Sequence, residues 1–342
     1  MKKILLFCLF AFALNISGYA QSDGRIERVL FQSTSLINSG GENPERHVSI
    51  YLPPNYDTEK NQHYPVIYYL HGFQNNDVIQ PGMKAILDKG IKSGKIRPFI
   101  LVIPDHKTIY EGSFYTNSTL TGNWADFTGK ELVQYIDKNY RSIPRRSSRG
   151  IAGHSMGGYG AIKMAMEFPD VFSSLYALSP GLLAFVKEFG PNSPSFRDLQ
   201  QIKSYEALQK TYYPRVLVAV ARAWSPNPNK PPFFCDLPFS YENNELVVHQ
   251  DILAKWEKNM PVYSVGEYAQ SLRKMNAIKV DWGRNDAPRF PVQIGQFSQR
   301  LENLGIPHFA EEYIGDHGNK IWSGDGRVLN DLLPFFNDYL TF

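Results

Sequence analysis

Residues 149 to 157 read Arg149-Gly-Ile-Ala-Gly-His-Ser-Met-Gly157, a short apolar stretch that ends in the pattern Gly-x-Ser-x-Gly. A small-residue segment from Gly157 to Phe168 follows, and we predict that it is a helix. A sharp turn between a buried strand and a helix exposes a serine at the edge of a sheet, and flanking glycines avoid the Cβ clashes of such a turn. The pattern therefore predicts Ser155 as a nucleophile, the alternative being a structural Gly-Ser turn.

The sequence around this motif alternates between strand and helix patterns. Tyr64–Leu70 and Phe99–Pro104 are continuous apolar runs, as expected of parallel strands buried on both faces. Residues 128–140 place Leu132 and Ile136 on one face of a helix. Further elements are expected at 23–52 (antiparallel edge strands), at 175–179 and 277–281 (strands), and at 330–340 (a closing helix), and residues 306–314 lead into a last strand. Together they predict an α/β-hydrolase fold, with a mostly parallel central sheet and helices on both faces.

Residues 181–276 interrupt this alternation. We interpret them as a cap-like insertion over the active-site face of a single catalytic domain that spans residues 21–342. Within the insertion, helices are expected at 195–209, 249–258 and 264–275, around a run rich in proline and aromatic residues that starts at Ala223.

The N-terminus has the pattern of a signal peptide. Two lysines precede an apolar run from Ile4 to Ile16, and small residues lead to a cleavage point after Ala20. The alternative is a membrane anchor, but the run is shorter than the roughly 20 residues that span a bilayer. We therefore expect residues 1–20 to be removed and the mature chain to be periplasmic or secreted, without stable membrane insertion.

Charge and cysteine content narrow the choice of partners. The formal net charge of +3 falls to about +1 when the leader is removed, and so no nucleic-acid partner is implied. Cys235 is then the one remaining cysteine, which excludes an intramolecular disulfide and favours a packing role.

The sequence has no metal-ligand spacing and no glycine-rich phosphate loop, so no cofactor is expected. It does not predict the oligomeric state.

A nucleophilic serine needs a histidine as its base, and three histidines follow Ser155. His317 lies in a glycine-flanked loop after the last predicted strand, where this fold places its base. His308 precedes that strand and is expected to be structural, whereas His249 is expected on a helix surface in the insertion. We predict His317 as the base.

The histidine needs a carboxylate to hold its tautomer, and three aspartates are candidates. Asp281 ends a predicted strand, whereas Asp286 follows the turn-forming Gly283-Arg-Asn and can reach a histidine loop. Asp316 adjoins His317 in sequence and is expected to have a turn role. Asp286 is the preferred acid.

Backbone N–H groups at Phe73 and Met156 are the expected oxyanion hole. His71-Gly-Phe-Gln follows a central strand, and Gly72 allows the backbone to turn its amides inward. The alternative is a plain turn at a strand end. His71 and His154 are then neighbours of the site.

Several ordered blocks of this sequence resemble the esterase D-like family, which includes feruloyl and acetylxylan esterases, S-formylglutathione hydrolases, enterochelin esterases and mycolyltransferases. The blocks are Arg46–Tyr56, Tyr64–Gly72, Lys130–Tyr140, Gly153–Ala161, Phe168–Pro180, Gly283–Asp286 and Gly315–Trp322. The resemblance implies that Ser155, Asp286 and His317 occupy the family's triad positions and that Phe73 and Met156 occupy its oxyanion-hole positions.

With the predicted export, the resemblance implies a serine carboxylesterase acting on feruloyl or acetyl groups of plant polysaccharides or oligosaccharides. A siderophore esterase or acyltransferase is the alternative with the same residues, and a non-catalytic glycan-binding relative is the alternative of another class. Gln74, His154 and aromatic residues of the insertion are candidates for contact with a small-molecule or glycan ester. The aromatic candidates are Trp224, Phe233 and Trp256, which alternatively form the insertion's own core.

Overall fold

A computed structural model describes residues 22–287 and 289–342, so the predicted leader lies outside the described residues. Twelve strands are found in the described part: β1 Arg25–Gln32, β2 Glu45–Leu52, β3 Val66–Leu70, β4 Ile100–Pro104, β5 Asn117–Ser118, β6 Gly122–Asn123, β7 Arg149–His154, β8 Ser174–Leu178, β9 Phe239–Glu242, β10 Glu245–Val248, β11 Ala277–Gly283 and β12 Phe309–Tyr313. The α-helices of the same part are α1 Pro81–Lys92, α2 Trp124–Asp126, α3 Leu132–Asn139, α4 Met156–Glu167, α5 Pro194–Gln201, α6 Tyr205–Gln209, α7 Tyr213–Trp224, α8 Gln250–Asn259, α9 Pro261–Ser264, α10 Ala269–Arg273, α11 Arg289–Asn303 and α12 Leu333–Tyr339.

Eight strands form the central sheet, in the order β1-β2-β4-β3-β7-β8-β11-β12. The pairs β1·β2 and β2·β4 are antiparallel, whereas the pairs from β4 to β12 are parallel. All five residues of β3 and of β4 are buried, as their continuous apolar runs predict. The predicted fold, a mostly parallel sheet surrounded by helices, is confirmed.

The core lies on both faces of this sheet. Along β3, Tyr68 and Leu70 pack toward α4 and the insertion, whereas Ile67 and Tyr69 pack toward α1 and α12. The alternation follows from the two-residue period of a strand, which sends successive side chains to opposite faces.

The insertion differs in detail from the sequence-based expectation. The segment predicted as one helix at 195–209 is two helices, because Ser204 caps α6 by accepting a hydrogen bond from the Ala207 N–H at 3.2 Å. Of the segment predicted as a helix at 264–275, α10 covers Ala269–Arg273, and Ser264 is the last residue of α9. Helix α7 and the β9–β10 hairpin were not predicted. The turn of the hairpin lies at Asn243 and Asn244, whose positive φ angles, 50° and 65°, are typical of a tight hairpin turn.

The closing helix differs in form from the expectation. The predicted closing helix at 330–340 is a wide turn at Val328–Leu332 followed by α12. In the part of the chain that the structure describes, no helix has the length and apolar character needed to cross a membrane.

Candidate active site

Four parallel strands bring the predicted site residues to one edge of the sheet. Phe73 follows β3, Ser155 follows β7, Asp286 follows β11 and His317 follows β12. Parallel strands end at the same edge, and open α/β sheets bind their ligands at the carboxyl ends of their strands.

Ser155 occupies a strained turn between β7 and α4. Its φ and ψ are 58° and −117°, outside the regions that a residue with a side chain usually adopts. A Cβ at Gly157 would overlap the carbonyl oxygen of Leu70, and a Cβ at Gly153 would overlap the carbonyl of Gly157. The two glycines of the motif are therefore required by close backbone contact, and the turn directs the serine side chain out of the sheet.

A chain of hydrogen bonds joins Ser155, His317 and Asp286. The Nε2 of His317 lies 2.9 Å from Ser155 Oγ, and its Nδ1 lies 2.7 Å from Asp286 Oδ2. A carboxylate only accepts hydrogen bonds, so Nδ1 carries the proton and Nε2 is free to accept the serine proton. The Asp286 side chain is 1% exposed, and the backbone N–H of Ala287 donates to its other oxygen at 2.6 Å.

The ring of His317 is held between two neighbours. The Phe290 ring lies on one side, with a centroid distance of 3.9 Å, and the His154 ring lies 4.7 Å away. The Nε2–H of His154 donates to the His317 carbonyl oxygen at 2.7 Å. Burial lowers the pKa of His154 to about 3, so this ring stays neutral when the site is in use. His154 is thus a neighbour that fixes the histidine loop.

The rejected acid candidates have other partners. Asp281 is buried in an ion pair with Arg327 and accepts a hydrogen bond from the Tyr176 hydroxyl at 2.8 Å; burial raises its pKa to about 6. Asp316 accepts hydrogen bonds from the backbone N–H groups of Gly318 and Asn319 within its own turn.

The other histidines downstream of Ser155 and Cys235 are also accounted for. His308 hydrogen-bonds to Ser298 at 2.7 Å, as its structural role predicts. His249 precedes α8 and hydrogen-bonds to Ser240, which corrects its expected place on a helix surface. Burial raises the pKa of Cys235 to about 12, in keeping with packing. Within the two described ranges, no three His, Cys, Asp or Glu side chains are grouped as metal ligands.

The backbone around Phe73 is oriented by its neighbours. The carbonyl oxygen of Gly72 accepts hydrogen bonds from His71 Nδ1–H at 2.8 Å and from the Asn75 N–H at 3.1 Å. Because the C=O and N–H of one trans peptide point in opposite directions, these bonds turn the Phe73 N–H away from His71. Among the described residues, neither the Phe73 N–H nor the Met156 N–H has an acceptor. Two free donors are therefore present beside Ser155.

An apolar pocket adjoins Ser155 on the face of the sheet that carries α7 and α11. Its free volume is about 50 Å³. We refer to it below as the apolar pocket, which is lined by Phe73, Phe114, Ser155, Met156, Gly181, Leu182, Phe189, Tyr212, Tyr213, Val216, Arg289, Phe290 and Gln293. Arg289 is its one charged residue and pairs with Glu188 at 3.3 Å.

The structure corrects three of the residues proposed for substrate contact. Trp224 and Trp256 are 5% and 0% exposed and pack edge to face at 5.4 Å, forming the insertion's own core. Phe233 is buried against Tyr110. Gln74 is exposed at a positive φ of 69° and lines no part of the apolar pocket. The three aromatic side chains are held by packing and line no part of the apolar pocket, whereas contact of Gln74 with the substrate stays a prediction.

Other aromatic residues line the apolar pocket, and they were not predicted from the sequence. Tyr212 and Tyr213 lie at the start of α7, and Phe290 lies in the first turn of α11. The sequence offered one indication for Phe290. This residue lies four positions after Asp286, so a helix that starts there must lie beside His317. No such local signal marks Tyr212.

Comparison with known proteins gives a family. Residues 39–325 match the family model described as "Putative esterase". An esterase of Mycobacterium tuberculosis is 32% identical over 319 residues, which are 90% of this chain and 58% of that protein. An endo-1,4-β-xylanase/feruloyl esterase of Xylanibacter ruminicola is 31% identical over 172 residues, or 46% of this chain and 22% of that protein. The chain thus spans little more than half of the first relative and less of the second.

Solved structures give the same fold. A ferulic acid esterase superposes with a TM-score of 0.64 at 23% identity, covering 93% of this chain and 99% of that one. An S-formylglutathione hydrolase from Agrobacterium tumefaciens superposes with a TM-score of 0.56 at 16% identity, covering 94% and 99%. The resemblance stated from the sequence blocks is confirmed by these matches.

Proposed function

The chain belongs to the esterase family, and we propose that it is a carboxylic ester hydrolase, an exported serine esterase that releases feruloyl groups from plant polysaccharides or oligosaccharides. The observation that carries this proposal is the apolar pocket beside Ser155, in which six of the thirteen lining residues are phenylalanine or tyrosine. Flat aromatic surfaces of this kind suit an aromatic acyl group.

In the proposed mechanism Ser155 Oγ attacks the ester carbonyl carbon. His317 Nε2 takes the hydroxyl proton as the bond to carbon forms, and Asp286 stabilises the resulting imidazolium. The carbonyl oxygen becomes an oxyanion, to which the N–H groups of Phe73 and Met156 donate.

The intermediate then collapses. His317 gives its proton to the leaving alcohol oxygen, the C–O bond breaks, and the acyl group remains on Ser155. Water repeats the sequence: its oxygen attacks the acyl carbon as His317 takes its proton, the C–O bond to Ser155 breaks, His317 gives the proton to Ser155 Oγ, and the carboxylic acid leaves.

Acetyl is a second candidate acyl group. It is favoured by the free volume of the apolar pocket, about 50 Å³, which admits a small group without movement of Tyr212 or Tyr213. Methyl ferulate, acetylated xylan and p-nitrophenyl acetate separate the two candidates when they are supplied to the same purified protein.

We expect methyl ferulate to have the highest kcat/KM of the three, and a fluorophosphonate to block turnover. A protein whose serine reacts with the fluorophosphonate but which hydrolyses none of the three esters contradicts the proposal. Faster transfer of the acyl group to an added sugar than to water favours an acyltransferase. Cleavage of a catecholate trilactone favours a siderophore esterase.

Export is proposed from residues 1–20. The test is to express the full chain in a bacterial host and to determine the mass of the protein in the periplasm and medium. A mature chain that begins at Gln21 is expected, and retention of the intact chain in the cytoplasm contradicts it.

A further inference from the structure

A second cleft opens at the same edge of the sheet, on the face that carries α1. We call it the polar cleft, and it is lined by Tyr69, His71, Gly72, Asn75, Asn76, Val78, Gln80, Met83, Ile103, His154, Gly318, Lys320, Ile321, Trp322 and Ser323. It shares no lining residue with the apolar pocket, which lies on the face of α7 and α11. Ser155 and His317 therefore lie between two cavities.

The two cavities differ in size. The free volume of the polar cleft is about 560 Å³ and that of the apolar pocket is about 50 Å³. A group that is one end of a polymer cannot enter the smaller cavity, but it can lie in the larger one.

Side chains with unused hydrogen-bonding capacity line the polar cleft. Asn75 and Gln80 are exposed, and neither side chain hydrogen-bonds to another described residue. The Asn76 side chain uses only its oxygen, which accepts from the Val78 N–H at 3.1 Å. Each primary amide offers two donors and one acceptor group, the complement of a vicinal diol.

An aromatic residue and a single charge complete the lining. Trp322 is half-buried, with its ring edge to face on Tyr69 at 5.2 Å. Lys320 is the one lining residue that is charged, because burial lowers the pKa of both His71 and His154 and keeps them neutral. An indole ring beside free amides, with no lining carboxylate, suits a neutral polyhydroxylated ligand.

We propose that the polar cleft binds the sugar that carries the ester, on the leaving-alcohol side of Ser155. This proposal rests on the proposed esterase function. When the acyl group lies in the apolar pocket, the carbonyl oxygen accepts from the Phe73 and Met156 N–H groups. The alcohol oxygen of the ester then faces His317, which must protonate it. The polar cleft is bordered by Gly72, His154 and Gly318. These are the sequence neighbours of Phe73, Ser155 and His317, so the rest of the alcohol continues into the cleft.

The chemistry of the lining argues against the reverse orientation. A feruloyl group in the polar cleft would offer Asn75 and Gln80 only its ring hydroxyl and methoxy oxygen, fewer hydrogen-bond partners than the hydroxyls of a sugar. Sugar hydroxyls in the apolar pocket would face phenylalanine rings and lose their own partners. The lining of each cavity thus matches one half of a feruloyl sugar, and a feruloyl group enters the apolar pocket, whose free volume is about 50 Å³, when wall side chains such as Tyr212 move.

The test compares two esters of the same acid, methyl ferulate and the feruloyl ester of arabinose. We expect kcat/KM to be at least about tenfold higher for the sugar ester, because its hydroxyls add hydrogen bonds and ring contacts. The double variant Asn75→Ala/Gln80→Ala is expected to lower the ratio of the two kcat/KM values by about tenfold, and Trp322→Ala to lower it by a similar factor.

Two controls keep this test specific. Asn61→Ala removes an exposed amide that lies outside both cavities and is expected to leave the ratio unchanged. Trp322→Ala removes a half-buried ring, so its melting temperature is measured and its ratio is read below the onset of unfolding. Because both esters are measured on the same protein, loss of folded enzyme cancels in the ratio.

The outcomes separate this proposal from the proposed function. Hydrolysis of both esters with similar kcat/KM, or a ratio unchanged in both variants, overturns the sugar site and leaves the esterase function standing. If neither ester is hydrolysed, the esterase function fails. Calorimetry with Ser155→Ala then tests the cleft: tighter binding of the sugar ester than of methyl ferulate, lost in the double variant, supports it, and equal binding overturns it.

Discussion

The sheet edge and the insertion each supply part of the candidate site, but they do so in different ways. At the edge, each functional residue lies a few residues after a parallel strand of the central sheet, so its place follows from the strand that precedes it. In the insertion, Tyr212 lines the apolar pocket and Trp256 lies in the core, although both are aromatic. The chemistry of the site is therefore encoded locally, whereas the wall of the pocket is set by tertiary packing.

The strongest test of the sheet edge is His317→Ala. Loss of the general base is expected to lower kcat for methyl ferulate by about 10⁴ to 10⁶, as in other serine hydrolases with such a triad. Circular dichroism should show an unchanged fold, because this side chain is 32% exposed. Retention of more than a tenth of the activity contradicts the assigned role.

Asp286→Asn compared with Asp281→Asn tests which carboxylate serves the histidine. Asp286→Asn is expected to lower kcat by roughly 10⁴, because an amide no longer holds the required tautomer. Asp281 lies in an ion pair with Arg327, so Asp281→Asn is expected to lower stability and to leave kcat of the folded protein within about threefold. The opposite pattern in steady-state kinetics would exchange the two roles.

In the insertion, Trp256→Ala separates packing from substrate contact. The ring is fully buried and its Nε1–H donates to Ser225 at 2.9 Å, so the free energy of unfolding is expected to fall by about 3–5 kcal/mol. Activity per folded molecule should stay within about twofold, and Trp256→Phe should lose less stability. A fall in kcat with unchanged stability in urea unfolding would return Trp256 to the list of contact residues.

The pH dependence of stability gives a smaller effect at the sheet edge. His154 in the unfolded chain takes up a proton near pH 6.5, but in the folded protein its pKa is about 3. Its contribution to stability is therefore complete above pH 6.5 and is lost as the pH falls toward 3. His154→Gln should flatten the fall in unfolding free energy between these values by up to about 1.4 kcal/mol per pH unit. Parallel curves for the two proteins in urea unfolding would show that this histidine is not the cause.

The smallest expected effect is at the pocket wall. Tyr212→Ala should lower kcat/KM for methyl ferulate by about tenfold and leave p-nitrophenyl acetate within about twofold, since acetyl does not reach this ring. Tyr205→Ala is the matched control, because Tyr205 is a similarly exposed tyrosine of the insertion outside the pocket. Equal losses for the two variants would mean that Tyr212 acts through the insertion's structure.

Much of the sheet edge, but little of the pocket wall, could be predicted from the sequence. The positions of the central strands along the chain, the turn at Ser155 and the meeting of Asp286 with His317 follow from hydrophobic runs and glycines that act over a few residues. Helix α7 was missed because Val216–Trp224 is buried on all sides, so its nearly continuous apolar run lacks the periodic contrast of an amphipathic helix. Trp224, Phe233 and Trp256 were proposed for contact on composition, but their orientation depends on neighbours distant in sequence, such as Phe114 and Tyr110.

The central claim is that Ser155 is a nucleophile activated by His317. The most direct measurement is the site and rate of fluorophosphonate labelling, determined by peptide mass spectrometry in the parent protein and in His317→Ala. We predict a single adduct on Ser155 that forms at least about 10³ times more slowly in the variant. An adduct on another residue, or equal rates in the two proteins, would contradict the account.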